Sequence, residues 1–535
     1  MNIQENKWLR YLIITVCILF TIGLHIHAGI CSYGFEGDEV FSYISSNSLG
    51  GFKGITYLTD QQWYDADYFY NALTATDGER FNARMVFENQ AMDVHPPLYY
   101  LLLNFICSVF TGKFSKWFGI GLNIFLLILV EIGLYYLLRH FLKNKYMSII
   151  MSTAFCCSRL SINMVQFIRM YIILMAICIW TTWLHLVIYK KLSENEYSIK
   201  AHWKSCLLLI LITVSGALTH YYFIVYQCLM SGIFVLGLLL LKQYKNSLRY
   251  MGVMVVSAVL SILIYPAMLS HIFFKYRGRD AVYKFLKGGT LFHDVKNMLD
   301  ELNAQLFKGT LLIILLILAA FTLIFLLKKK ISIKTILKGG VLALPLIVYF
   351  YGISKASPFV SIRYVSPIAP MIFTFFAAWS KYLIDTASFK INHRQILCLV
   401  LTSVSLFITV SISSQNVKPE YMTNRQSAIN KIVQTTDYCM YISGDEYYWK
   451  MWEDYVNYPQ FKALYFINGL NKAPITDDKL KQQKNLLIYV DNVLDLEEMQ
   501  DYLSSYLPLN NYEIIFESNY THIIYASAGQ NTPAS

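Results

Sequence analysis

The chain has 535 residues, of which 56% are hydrophobic and only 15% charged, and its mean hydropathy is +0.42. Soluble globular chains carry about 25% charged residues, so an ordinary soluble enzyme is excluded; 16% aromatics and long apolar runs likewise exclude a disordered chain. The balance of 45 Lys and Arg against 34 Asp and Glu gives +11, but the positive residues cluster in short loops between apolar runs. Lys190 with Lys191, Lys242 with Lys245 and Arg249, and Lys328 to Lys330 are examples. That distribution orients a membrane protein and excludes a nucleic-acid binder.

Taken in chain order, the first apolar run, Trp8 to Ile30, exceeds the roughly 7–15 residue core of a secretory signal and reads as a retained span. Further runs of about 20 residues predict spans near 117–138, 146–163, 167–189, 204–220, 222–241, 249–270, 309–327, 336–353, 364–381 and 395–414. The basic loops at 139–145, 190–204, 242–249 and 328–335 then share one side with Lys7 and Arg10, which is the cytosol. Leu98 to Phe110 is short for a hydrocarbon core of roughly 30 Å and reads as a re-entrant or short helix. The predicted fold is a polytopic α-helical membrane protein of about 11 spans plus that extra helix, occupying 1–414, with a small α/β domain outside the membrane at 415–535.

In the tail, Tyr438–Ser443, Ala463–Asn468, Asn485–Asp491 and Glu513–Phe516 read as strands, and Leu496 to Leu507 as a helix. The first extracytoplasmic loop, 31–97, holds an amphipathic stretch from Phe69 to Phe87 that is expected to lie in the interface plane. Of ten cysteines only Cys31 and Cys439 fall clearly outside apolar runs, so neither a disulfide framework nor a thiolate metal site is expected. Glu131 and Arg159 are ionisable at membrane depth and are expected to pair for structural reasons.

Polar groups are expensive at that depth, and five polar constellations fall at the same ends of the predicted spans. Glu36-Gly37-Asp38-Glu39 follows the first span. Alone it reads as a solvated turn, but Phe35, Phe41 and Tyr43 around it would desolvate a carboxylate and suit it to act as a base. Asp93-Val94-His95-Pro96-Pro97-Leu98-Tyr99-Tyr100 carries two prolines that punctuate a helix start, and a histidine placed to meet an anion there. Arg169-Met170-Tyr171 opens another span, where a lone arginine often snorkels to headgroups. Thr219-His220-Tyr221-Tyr222 divides an apolar run of nearly 40 residues. Ser361-Ile362-Arg363-Tyr364 precedes Pro367 and Pro370, and its guanidinium suits bidentate contact with phosphate. No P-loop, dinucleotide glycine fingerprint or HExxH accompanies them.

Asp38-Glu39, His95-Pro96-Pro97-Leu98-Tyr99-Tyr100, Arg169-Met170-Tyr171, His220-Tyr221-Tyr222 and Arg363-Tyr364-x-x-Pro367 occur in one order between 38 and 370. This ordered set resembles the family 39 branch of the GT-C membrane glycosyltransferases, which includes protein O-mannosyltransferases and the lipid A aminoarabinose transferase. The resemblance implies transfer of a sugar from a polyprenyl-phosphate donor to a glycan, lipid or protein acceptor on the non-cytosolic side. It maps the catalytic base to Asp38 and a supporting carboxylate to Glu39. It gives the donor phosphate to His95, Arg363 and Arg169, and makes Tyr99, Tyr171, His220, Tyr221 and Tyr364 substrate-lining. Some relatives carry lysine where this chain has His95, so a permanent charge is replaced by a titratable one. A divalent cation at Asp38 and Glu39 is conceivable, but adjacent carboxylates without further ligands give no metal site to expect. The partners implied are the lipid-linked donor and membrane lipids, and the location is a bacterial plasma membrane with the site facing outside. A transporter or flippase would instead need polar residues along a midplane path in repeated halves, and a ligase using a pyrophosphate-linked donor would need more cations.

Overall fold

The computed structural model describes residues 7–51, 58–193, 203–287, 291–387, 420–444, 448–518 and 520–529. The chain forms two compact units. One comprises Met1–Gly29, Asp93–Tyr99 and Ile120–Val417, and the other Ile30–Met92, Tyr100–Gly119 and Lys418–Ser535.

The first unit is helical because apolar spans must satisfy every backbone group internally. Among the described residues seven helices are long and apolar enough to cross a membrane: Tyr11–Cys31, Lys116–Leu142, Tyr171–Ser193, Tyr222–Leu240, Tyr244–Ile264, Ile333–Ala356 and Ser366–Thr386. The number rises to nine if each of two bent pairs is one span. The expected span at 146–163 is one such pair, Lys145–Cys156 and Arg159–Gln166, bent by 53°. The break falls where Ser158 caps the second helix, its hydroxyl accepting from the Ser161 N–H at 3.3 Å. The span expected at 309–327 is the second half of the other pair, bent by 86°, where Lys308 and Gly309 both take positive φ and end the preceding helix. Leu98–Val109 and Trp203–Ala217 are shorter apolar helices; the span expected at 395–414 lies outside the described residues.

Several polar groups inside this unit bond one another. His185 bonds the Tyr250 hydroxyl at 2.7 Å, and that hydroxyl also meets Ser231 at 2.8 Å. An ionic partner was expected for Glu131, but its carboxylate accepts from the Thr153 hydroxyl at 2.7 Å. A hydroxyl can donate at that depth without bringing a second charge into the bilayer.

The second unit is built on a six-stranded sheet in the order β1-β3-β2-β4-β6-β5. The strands are β1 (Gln62–Asp65), β2 (Tyr438–Ser443), β3 (Ala463–Asn468), β4 (Asn485–Asp491), β5 (Asn511–Glu517) and β6 (Thr521–Ser527). The inner strands β2, β3 and β4 pair in parallel and carry near-continuous apolar runs, as strands covered on both faces should. Met499 and Leu503 of the Leu496–Tyr506 helix fill the core against Ile442, Ile488 and Val490. The sheet reaches beyond the expected 415–535 domain: β1 comes from the first loop and pairs antiparallel with β3, Trp63 opposite Tyr465.

The rest of that loop is also spent on this unit. Phe69 has no exposed surface and sits edge-on to Tyr455 and Tyr458 with centroids 5.1 and 5.0 Å away. Leu73 and Val86 are equally buried. Of the stretch 69–87, which was expected to lie in the interface plane, Phe69, Leu73 and Val86 are covered by protein while Phe81 is exposed. Phe41 of the Gly37–Asn47 helix packs on Trp452 at 5.6 Å. Beneath that contact Arg425 is ion-paired with both Glu453 and Asp454 while buried. Lys450 and Asp491 form a second buried pair at 2.5 Å. Such pairs add little net stability but are severely destabilising to break one side at a time.

Loop and tail therefore form one cooperative body, and this is testable. Phe69→Ala should leave a cavity costing about 3–5 kcal/mol. In limited proteolysis the variant should be cut in the 58–92 segment and in the tail together. Cleavage of the loop with an intact tail would show that the two fold separately.

Candidate active site

The loop carrying His95 is held at both ends. Pro96 and Pro97 delay helix entry to Leu98, whose N–H bonds the Leu218 carbonyl at 2.9 Å. Lys275 donates to the Asp93 carbonyl at 2.6 Å, and the Tyr265 hydroxyl donates to the His95 carbonyl at 3.4 Å. Within the loop the Asp93 carboxylate lies 2.5 Å from His95 Nδ1. Burial pushes the Asp93 carboxyl up, but the neighbouring His95 and Arg169 outweigh it and hold the group below the usual range.

Arg169 sits in a kink between the Arg159–Gln166 and Tyr171–Ser193 helices. Its own N–H bonds the Phe167 carbonyl at 2.7 Å. Asn123 fastens the kink from outside: its amide donates to the carbonyls of Val165 and Phe167, both at 3.0 Å. The Tyr99 hydroxyl in turn donates to Asn123 Oδ1 at 3.1 Å. Arg169 is 3% exposed, and its Nη2 approaches His95 Nε2 at 3.3 Å.

His220 caps the turn before Tyr222–Leu240, its Nδ1 accepting the Tyr222 N–H at 3.1 Å. Its ring lies 5.9 Å from Tyr171 and 4.7 Å from Tyr222. Tyr364 stands edge-on to both Tyr171, at 6.2 Å, and Tyr222, at 5.7 Å. Arg363, on the same short turn as Tyr364, lies over the Phe167 and Tyr364 rings at 5.5 and 5.1 Å, and Phe167 stacks on Tyr171 at 6.0 Å. Burial, then its neighbours His95, Arg169 and Arg363, lowers the His220 pKa to about 3. The cluster is electropositive, and it is lined by aromatic faces.

Four of the five constellations in the sequence thus converge around Tyr171. Two of the expected lining residues are turned elsewhere. Tyr99 is wholly buried and braces Asn123, while the Tyr221 hydroxyl bonds His271 Nδ1 at 2.7 Å. Asp38 and Glu39 belong to the second unit. Asp38 is half-buried in the first turn of Gly37–Asn47, and Glu39 is wholly buried with Oε2 accepting the Glu36 N–H at 2.8 Å, one half of a capping box. Glu453 flanks the same turn, its Cγ 3.7 Å from where a Gly37 Cβ would stand. Among the described residues no group of three or more His, Cys, Asp or Glu side chains could hold a metal ion.

Asp93 and Asn123 are the site residues that the sequence motifs leave without a task. Each nonetheless carries a local signal: a carboxylate two residues before a loop histidine, and an amide inside an apolar run, where it must find partners.

No family model and no curated protein matches the sequence. Solved structures do match in fold. ArnT from Cupriavidus metallidurans bound to undecaprenyl phosphate superposes with a TM-score of 0.52 at 11% identity, over 97% of this chain and 98% of that one. The fold is GT-C-like. ArnT in the apo state matches at 0.47 and 11% identity, over 91% of this chain and 96% of that one. The oligosaccharyltransferase AglB from Archaeoglobus fulgidus, in complex with an inhibitory peptide and a dolichol-phosphate, matches at 0.47 and 10% identity, over 91% of this chain and 70% of that one.

The depressed His220 value has a signed consequence. The unfolded chain takes up a proton near pH 6.5, which the folded chain refuses until about pH 3, so His220 costs nothing above pH 6.5 and erodes stability progressively below it. Thermal midpoints in detergent should fall between pH 7 and pH 4.5, and His220→Phe should fall less steeply. Parallel slopes would mean that His220 is protonated in the folded protein.

Proposed function

We propose that this chain transfers a sugar from a polyprenyl-phosphate donor to an acceptor on the outer face of a bacterial plasma membrane. The observation that carries the reading is the gathering of His95, Arg169, His220 and Arg363 around Tyr171. Two guanidinium groups beside a neutral imidazole and aromatic faces make a setting for one phosphate held next to a sugar ring. The fold shared with ArnT, whose structure holds undecaprenyl phosphate, supports that choice of ligand. The basic loops read from the sequence support an outward-facing site.

In this reading Arg169 and Arg363 hold the donor phosphate, with His95 beside Arg169, and Tyr171, His220 and Tyr364 line the sugar. Asp38 takes the proton from the acceptor hydroxyl as that oxygen attacks the anomeric carbon. The bond from that carbon to the phosphate oxygen breaks, and the polyprenyl phosphate departs with both electrons of the bond. Its second pKa is about 6, so it leaves without a general acid, whereas glycosidases must protonate a poorer leaving group and use two carboxylates. One displacement inverts the anomeric centre. Glu39 keeps the Asp38 helix capped.

The test is to incubate purified protein with a panel of radiolabelled polyprenyl-phosphate sugars and follow release or transfer of the label. One donor should react. Asp38→Asn should reduce transfer by at least about 10²-fold, the range of general-base catalysis, while donor binding stays within about threefold. Arg363→Ala should weaken donor binding at least about tenfold, as loss of a charge-assisted contact does. Equal loss of binding and transfer in Asp38→Asn, or an unimpaired Arg363→Ala, would remove the assigned roles.

A further inference from the structure

His95 stands between two groups that fix where its proton lies. A guanidinium can only donate, so the 3.3 Å contact from Arg169 Nη2 makes His95 Nε2 the acceptor. Nε2 then carries no hydrogen, Nδ1 does, and the Nδ1–H is aimed at the Asp93 carboxylate 2.5 Å away. The imidazole held in this way turns its Nε2 lone pair toward Arg169. Asp93 is itself 7% exposed, and its segment is anchored by Lys275 and Tyr265 through backbone carbonyls. Three links in series therefore run from a fixed loop to a buried guanidinium.

We propose that Asp93 and His95 form a positioning dyad: Asp93 holds the His95 proton at Nδ1, and the exposed lone pair on Nε2 aims Arg169 at the lipid phosphate. His95 is then a positioning residue rather than a phosphate ligand, and Asp93 acts only through it. This rests on the polyprenyl-phosphate reading of the site, because it says how one of the two phosphate contacts is set. It makes a specific demand on position 95, which must supply a hydrogen-bond acceptor and need not supply a positive charge.

The experiment measures undecaprenyl phosphate binding to the full-length protein in detergent, with the thermal midpoint of each variant beside it. Asp93→Ala should weaken binding at least about tenfold, the scale of a lost hydrogen bond to a charged group. His95→Ala should do the same. His95→Gln, whose Oε1 can accept from Arg169, should stay within about threefold of the parent. Since the dyad acts through one ring, Asp93→Ala should cost less than about threefold in the His95→Gln background. If Asp93→Ala lowers the thermal midpoint, the contrast between His95→Ala and His95→Gln carries the test. Undiminished binding by folded Asp93→Ala, an equal loss in both backgrounds, or a His95→Gln variant as weak as His95→Ala each overturns the dyad and leaves the polyprenyl-phosphate reading standing. A parent protein that fails to bind undecaprenyl phosphate removes both.

Discussion

A guanidinium inside a helical bundle must be compensated, and the kind of compensation decides what the site can receive. Arg169 rests against an imidazole, and Arg363 lies over ring faces. These are modest interactions, about 1–3 kcal/mol for the hydrogen bond and about 0.5–2 kcal/mol for each ring contact. Contacts of this size can be exchanged for contacts with an arriving phosphate, whereas breaking one side of a buried carboxylate pair is far costlier. In the sheet unit two carboxylates close on the single guanidinium of Arg425, and the result is rigid structure.

The rigidity has a use. The acidic motif of the first loop lies on a short helix, and eleven residues are too few to be stable alone. Three features set its position within its unit. Glu39 caps it, Phe41 packs on Trp452, and the segment bearing Trp452 also carries the carboxylates that pair with Arg425. The tail thus serves as the mount for the loop. Asp60 adds to this by accepting the Asn468 N–H at 2.8 Å, so that the loop is stitched to β3 just before β1 begins.

Much of this is legible in the sequence because apolar spans make polar residues conspicuous. His95, Arg169, His220 and Arg363 stand out between long hydrophobic runs, and their grouping in space follows from the helix ends that carry them. The strands β2, β3 and β4 are legible from their length and composition, since buried parallel strands read as short continuous apolar runs. What stays hidden depends on partners distant in sequence. Nothing local tells that Gln62–Asp65 pairs with a strand 400 residues later. Phe69 to Phe87 has the pattern of an interfacial helix, and nothing in that pattern tells that Phe69 meets the tyrosines at 455 and 458. Tyr99 and Tyr364 look equivalent as motif tyrosines; one is turned to Asn123 and the other to the cluster, a distinction made by packing alone. β6 differs from these, for Thr521–Ser527 carries a β-branched, apolar signal of its own although it was not among the expected strands.

Histidine at position 95 also bears on the charge of the site. An ammonium offers three donors and no acceptor, so lysine there would meet Arg169 donor to donor and the two cations would repel. An imidazole removes that repulsion and lets the pair sit 3.3 Å apart. The electropositive character of the site then comes from guanidinium groups, Arg169 and Arg363 with Arg277 near Tyr222, moderated by the Asp93 and Glu301 carboxylates. The residue at 95 therefore acts on the site through the geometry of one lone pair.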